Sequence, residues 1–143
     1  MKYYIDTEFD GFGGDLLSLG IASKADSLYL RVPKPATLTP WVAENVWPII
    51  DAVPFHVNPM PLDEWPNVIA GFLGGDDAPH IVADWPDDIR YFCQPLITGP
   101  GEMVNIPRIS FEVVRVDAYP SALTQAIQHN AWWDAQALKH LLS

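Results

Sequence analysis

The chain has 143 residues, of which 49% are apolar and 18% are charged, which is the composition of one globular domain with its own core. The chain has eight Lys and Arg and 18 Asp and Glu, which gives a formal net charge of −10. This charge excludes a broad basic surface that would bind the phosphates of long nucleic acid. The single cysteine, Cys93, excludes an internal disulfide and a cysteine-based zinc site. No apolar run is long enough to span a bilayer and no signal-peptide pattern opens the chain, so we expect a cytoplasmic protein without a membrane partner.

The first predicted element is a strand that carries two acids, Asp6 and Glu8, shortly before the glycine loop that starts at Gly11. Because side chains alternate along a strand, both carboxylates point to the same face. They repel each other unless a cation lies between them, and hard divalent cations such as Mg²⁺ take oxygen ligands of this kind. The alternative is that both acids are solvated at the frayed end of an edge strand.

The following elements predict a mixed sheet with helices on both faces. Two further strands after the glycine loop complete an antiparallel meander, and later strands alternate with helices, as in parallel β–α–β crossovers. The predicted strands are Asp15–Ser23, Ser27–Val32, His80–Asp84 and Ile109–Val116. The first predicted helix begins at Pro40 after a Thr39 cap, and the second begins near Trp65 after an Asp63 or Glu64 cap. A third helix begins near Asp87 or Asp88. The last two helices are predicted over Pro120–Gln128 and Ala131–Leu142.

A second group of acids lies where the fourth strand passes into a helix. Asp84 ends the strand, and Asp87 and Asp88 follow Trp85 and Pro86. These carboxylates either bind metal or complement the dipole and cap the start of the helix.

The last helix brings a third group, His129 and Asp134. Five residues correspond to about 140° round a helix, so the two do not share one face of a straight helix. If Asn130 is the N-cap, however, His129 lies in the preceding loop and can swing toward the site that Asp134 faces. The alternative is a solvated histidine and an ordinary surface acid.

Together, these residues resemble the three motifs of the DEDDh branch of 3′–5′ exonucleases, and in particular the small acidic bacterial 3′–5′ exoribonucleases. The similar features are Tyr-x-Asp-Thr-Glu-Phe at the start, a Trp-Val helix after the third strand, Ala-Asp-aromatic in the middle and His-x-Ala-x-x-Asp-Ala near the end. The resemblance covers essentially the whole chain. It implies a ribonuclease H-like fold with a central five-stranded mixed sheet, in one domain over residues 1–143.

The resemblance also implies a role for each site residue. Asp6, Glu8 and Asp134 would be metal ligands, and His129 would be the general base. In the second motif, the family spacing favours Asp88 as the ligand, with Asp84 at the preceding Asn position and Asp87 capping the helix. Asp84 and Asp87 remain alternatives for the metal-binding position.

The expected activity is a two-metal hydrolysis of single-stranded RNA or short oligoribonucleotides from the 3′ end, with Mg²⁺ or Mn²⁺, releasing nucleoside 5′-monophosphates. Phe9 and Trp85 are candidates for stacking on terminal bases, although burial in the core is the alternative for each. A DNA exonuclease with the same chemistry, or an interaction module that has lost catalysis, are the competing hypotheses. The sequence decides neither RNA over DNA nor Mg²⁺ over Mn²⁺, and the resemblance is compatible with a homodimer.

Overall fold

The computed structural model describes residues 1–143 and contains seven strands and four α-helices. The strands are β1 (Lys2–Phe9), β2 (Leu16–Ala22), β3 (Ser27–Arg31), β4 (His80–Ala83), β5 (Ile97–Gly99), β6 (Glu102–Met103) and β7 (Ser110–Val113). The helices are α1 (Pro40–Asn45), α2 (Trp65–Leu73), α3 (Pro86–Cys93) and α4 (Ala131–Leu142). None of these helices combines the length and the apolar character that crossing a membrane requires.

Five strands form one mixed sheet in the order β3-β2-β1-β4-β7, which confirms the predicted α/β class and the five-stranded mixed sheet. β1, β2 and β3 are antiparallel neighbours with short connections, whereas β4 pairs parallel with β1, and β7 pairs parallel with β4. Parallel strands end at the same edge of a sheet. The chain segments that follow β4 and β7 therefore leave the sheet beside the end of β1.

Alternation along β1 divides its side chains between two cores. Tyr3 and Ile5 belong to the larger core, which α2 and α3 cover. Tyr4 faces the other side of the sheet and packs with Val82 and with Leu138 of α4. Asp6 and Glu8 continue the Tyr4 side, so they point toward α4.

The start of α4 lies directly over the sheet because one strand position has no side chain. Gly20 of β2 pairs with Asp6, and a Cβ atom at this position would overlap the carbonyl oxygen of Ala131. The predicted cap is confirmed, since the Asn130 side chain accepts hydrogen bonds from the backbone N–H groups of Trp132 (3.0 Å) and Trp133 (3.2 Å). Close packing and capping together fix the first turn of α4 beside the end of β1.

Two predicted elements at the C-terminal side of the sheet are shorter than expected. The strand predicted over Ile109–Val116 is β7, which ends at Val113 because its only partner, β4, has four residues and ends opposite it at Ala83. The helix predicted over Pro120–Gln128 is wrong: only a 3₁₀ turn, Pro120–Ala122, forms there. Gln125 has φ 64°, in the left-handed region, which interrupts any helical path through the segment.

The predicted caps of the middle helices are confirmed only in part. Glu64 occupies the N-cap position of α2, but its side chain makes no capping hydrogen bond, and Asp63 lies one residue earlier in a 3₁₀ turn that continues into the helix. Asp87 does not cap α3 either: the cap position is Trp85, and Asp87 is the second residue of the helix. The Asp87 carboxylate instead accepts a hydrogen bond from the Trp85 indole N–H at 3.3 Å. A short strand hairpin, β5–β6, forms around Gly101, which has φ 69°.

Candidate metal centre

Five carboxylates from both ends and the middle of the chain converge at the end of β1. They form two groups, each with ligand atoms within 4.8 Å of one another, and Asp6 belongs to both. One group contains Asp6, Glu8 and Asp134, and the other contains Asp6, Asp84 and Asp88. The predicted residues of the first and third motifs are therefore brought together. For the second motif, the structure places both Asp84 and the favoured Asp88 within the cluster, and Asp87 outside these two groups.

Asp88 is held by the first strand itself. Its Oδ1 atom accepts hydrogen bonds from the Thr7 backbone N–H at 3.1 Å and from the Thr7 hydroxyl at 2.6 Å. Thr7 lies between Asp6 and Glu8 and points to the opposite face of the sheet, toward α3. One residue of β1 thus orients the α3 carboxylate, while its two neighbours face Asp134 on α4. The sequence analysis did not find this role of Thr7.

The carboxylates repel one another in a poorly solvated site, and their pKa values are raised as a result. Burial, followed by the charges of Asp88 and Asp134, raises the pKa of Asp6 well above its usual range. Burial and the charge of Asp134 do the same to the pKa of Glu8. Burial raises the pKa of Asp88 to about 7 and that of Asp134 to about 7, even though each accepts hydrogen bonds that act in the opposite direction.

Divalent cations fit this donor set. The Oδ2 atom of Asp6 is buried and has no hydrogen-bond partner, which is costly for a carboxylate oxygen unless a cation or a proton satisfies it. All donors are carboxylate oxygens, the ligands that Mg²⁺ and Mn²⁺ prefer. Asp6 belongs to both clusters of carboxylates, as expected for a residue that would contact two ions. Asp6, Glu8, Asp134, Asp88 and Asp84 are therefore the residues that would hold metal.

His129 lies beside the carboxylates and belongs to neither of the two candidate ligand groups. It sits in the loop before α4 with φ 67°, an uncommon backbone conformation for a residue other than glycine. Its backbone lies near Asp134 and lowers the pKa of that carboxyl, against the larger effect of burial, which raises it. Its half-buried ring packs edge-to-face on Trp41, with 5.3 Å between ring centroids. Trp41 lines the cleft, so this contact holds the imidazole next to the cleft without making it a ligand.

Four of the five carboxylates, all except Asp134, line a cleft of about 530 Å³ with aromatic side chains around it. Phe12 in the glycine loop, Trp41 and Trp85 line it and are 96%, 56% and 48% exposed. Phe9 also lines the cleft, but it is only partly exposed and stacks on Tyr91, with 4.2 Å between ring centroids. Trp85 is thus placed as a substrate-stacking residue would be, whereas the ring of Phe9 is engaged largely in packing. Sequence reasoning did not select Phe12 or Trp41, although a large aromatic inside a glycine loop is a signal of exposure.

A single hydrogen bond links the glycine loop to α1. The carboxylate of Asp10, just after β1, accepts a hydrogen bond at 2.8 Å from the backbone N–H of Thr39, which precedes α1. Gly11 and Gly13 have φ of 77° and 72°, which glycine adopts without strain. The loop that carries Phe12 and the helix that carries Trp41 are therefore fixed relative to each other on one side of the cleft.

Comparison of the chain with models of known protein families and with curated proteins gave no match in either case.

The raised pKa values predict how the stability of the metal-free protein depends on pH. Folded Asp88 and Asp134 keep their protons up to about pH 7, whereas an unfolded aspartate loses its proton near 3.9. Between these values the folded state binds more protons, so the free energy of unfolding falls as pH rises through about 7. We expect urea denaturation in a chelator to give lower stability at pH 8 than at pH 5, with a smaller difference for Asp134→Asn. Stability that is equal or greater at pH 8 would contradict the carboxylate repulsion.

Proposed function

We propose that this chain is a divalent-metal-dependent 3′–5′ exonuclease with a ribonuclease H-like fold, acting on single-stranded RNA or short oligoribonucleotides. The observation that carries the proposal is the convergence of five carboxylates around Asp6, with His129 beside them. The strand order β3-β2-β1-β4-β7 and the helices on both faces support the fold assignment. The same geometry supports the proposed membership of the DEDDh branch, because the acids and the histidine come from the three motifs that the sequence resembles.

The reaction would be hydrolysis of the last phosphodiester bond. A water oxygen attacks the phosphorus, the bond between phosphorus and the 3′ oxygen of the preceding nucleotide breaks, and a nucleoside 5′-monophosphate leaves. His129 accepts the proton of the attacking water, since imidazole is the side chain best suited to proton transfer near neutral pH. The oligonucleotide that is one residue shorter keeps its 3′ oxygen, which takes a proton from solvent.

The chain supplies few charges of its own to balance the phosphate. When bound, two divalent ions would supply Lewis-acid stabilisation of the phosphate charge and would activate water at neutral pH. Asp6, Glu8, Asp84, Asp88 and Asp134 would hold those ions. With a net charge of −10 in the whole chain, substrate binding would depend on the cleft rather than on a general electrostatic attraction.

The aromatic side chains around the cleft support a nucleic-acid substrate. Base–aromatic stacking is worth roughly 1–3 kcal/mol per base and tolerates any sequence. Exposed Trp85, Trp41 and Phe12 offer such faces next to the carboxylates. Large exposed aromatics around an acidic cleft are costly for a domain that binds nothing, so they also weigh against a relic that has lost its substrate.

The test is incubation with single-stranded RNA and DNA oligomers labelled at either end, with Mg²⁺, with Mn²⁺ or with a chelator. We expect metal-dependent release of nucleoside 5′-monophosphates from the 3′ end, with 5′-labelled RNA shortening one residue at a time. Faster cleavage of DNA than of RNA would replace the proposed substrate with DNA 3′ ends. Internal cuts would contradict an exonuclease, and no cleavage under any condition would favour an interaction module.

A further inference from the structure

One arginine beside the cleft, Arg115, forms no ion pair and lies over the ring of Trp85, which lines the cleft. Arg115 follows β7, at the edge of the sheet where Asp84 follows β4. No carboxylate lies within 4.0 Å of its guanidinium, whereas Arg31 and Arg90 form ion pairs with Asp51 and Asp87. Burial raises the pKa of the Asp84 carboxyl, the nearby charge of Asp117 adds to that rise, and the charge of Arg115 acts against it, so Arg115 lies near Asp84.

An aromatic ring holds this arginine in place. The Arg115 guanidinium carbon lies 4.5 Å from the centroid of the Trp85 ring, and both side chains are exposed. A guanidinium over an aromatic face keeps the N–H donors along its edge free, and those donors match the geometry of a phosphate. An exposed cation–π contact alone is worth only about 0.5–1 kcal/mol, so stability is a weak reason for the arrangement.

The distribution of charge around the cleft indicates which substrate phosphate the Arg115 guanidinium would bind. The five carboxylates, with the ions that they would hold, are suited to the scissile phosphate, but every other phosphate of an oligonucleotide would meet a strongly acidic protein. Arg115 lies next to the carboxylate cluster, close to Asp84 but outside the two groups of metal ligands. It is therefore positioned for a neighbouring phosphate of the same strand rather than for the reacting one.

We propose that Arg115, held by Trp85, binds a substrate phosphate other than the scissile one and so favours oligonucleotides with more than one phosphodiester bond. This inference rests on the proposed exonuclease function. It makes Arg115 a substrate-positioning residue that contributes to affinity for longer strands and leaves the chemistry at the terminal bond unchanged.

The test compares two substrates and two matched variants. The 5′-hydroxyl dinucleotide ApA contains only the scissile phosphate, and a five-residue oligoadenylate contains three more. Arg115→Met and Arg108→Met each remove one exposed arginine next to β7. Arg108 is the matched control because it also has no ion pair and lies at the opposite end of that strand, after Pro107. Hydrolysis of each substrate is measured at several salt concentrations.

For Arg115→Met we expect KM for the pentamer to rise about tenfold to a hundredfold, as for loss of one charge-assisted hydrogen-bonded contact, with kcat little changed. Hydrolysis of ApA should be unchanged. The slope of log(1/KM) against log salt for the pentamer should become shallower by about 0.7, the value for one lost phosphate contact on a single strand. Arg108→Met should change neither quantity, and Arg115→Lys should recover part of the loss.

Four results would overturn the inference, and each of them points to a different explanation. An unchanged pentamer KM in Arg115→Met would show that no phosphate contact is lost. Equal losses in Arg115→Met and Arg108→Met would indicate a general effect of charge. Equal losses on ApA and the pentamer would place Arg115 in support of the metal centre or the fold. Wild-type protein inactive on both substrates would overturn the exonuclease proposal, and this inference with it.

Discussion

Replacing His129 with alanine is expected to lower kcat for RNA by about 10²–10⁴-fold, the usual contribution of a general base. The variant keeps all five carboxylates, and the imidazole belongs to neither of the two candidate ligand groups. Stabilisation of the fold by Mn²⁺ should therefore be nearly unchanged. The wild-type pH–rate profile should show a limb that this variant loses or moves.

The matched control is His140→Ala, which removes an exposed histidine from the last turn of the same helix. It should leave kcat and the pH–rate limb unchanged. Equal activity of His129→Ala and wild type would refute the assignment of the base. Loss of metal-induced stabilisation in His129→Ala would show instead that the histidine supports the metal ligands.

Replacing Asp6 with asparagine is expected to remove both activity and metal binding, because Asp6 is the carboxylate common to the two ligand groups. Lewis-acid stabilisation of several kcal/mol corresponds to a loss of roughly 10³-fold or more in rate. In wild type, metal at a hundredfold excess over its dissociation constant adds about 2.7 kcal/mol to the free energy of unfolding, or roughly 5–10 °C in melting temperature. The variant should lose most of that rise.

Asp63→Asn provides the charge-matched control, since Asp63 is exposed and lies outside the cleft, just before α2. It should keep the full metal-induced rise and full activity. Without metal, Asp6→Asn should be at least as stable as wild type, because it removes one of the repelling carboxylates. An equal rise with metal in Asp6→Asn and wild type would mean that the ions bind elsewhere.

The parts of the site that follow local rules could be predicted from the sequence. Alternation along β1 placed Asp6 and Glu8 on one face, and the Asn130 cap placed His129 just outside α4. Both depend on backbone geometry within a few residues. The order of strands and helices also predicted a mixed sheet, because short connections favour antiparallel neighbours and helical crossovers favour parallel ones.

The parts that depend on long-range packing could not be predicted. The family spacing favoured Asp88, but the hydrogen bonds from Thr7 that hold its carboxylate join residues 81 positions apart in the chain and have no local signal. The stacking of Arg115 on Trp85 has no local signal either. The segment 120–128 contains helix-forming residues, but so short a helix is marginal without packing, and only Pro120 is fully buried there.

The most direct test of the metal centre is anomalous diffraction from crystals of the wild-type protein soaked in Mn²⁺. Two ions are expected about 3.5–4 Å apart, the spacing of two-metal phosphodiesterase sites. Asp6 should contact both, Glu8 and Asp134 should contact one of them, and Asp88 or Asp84 should contact the other. Anomalous peaks only at other acidic surfaces, with this cluster empty at saturating Mn²⁺, would contradict the proposal that these carboxylates form a nuclease metal centre.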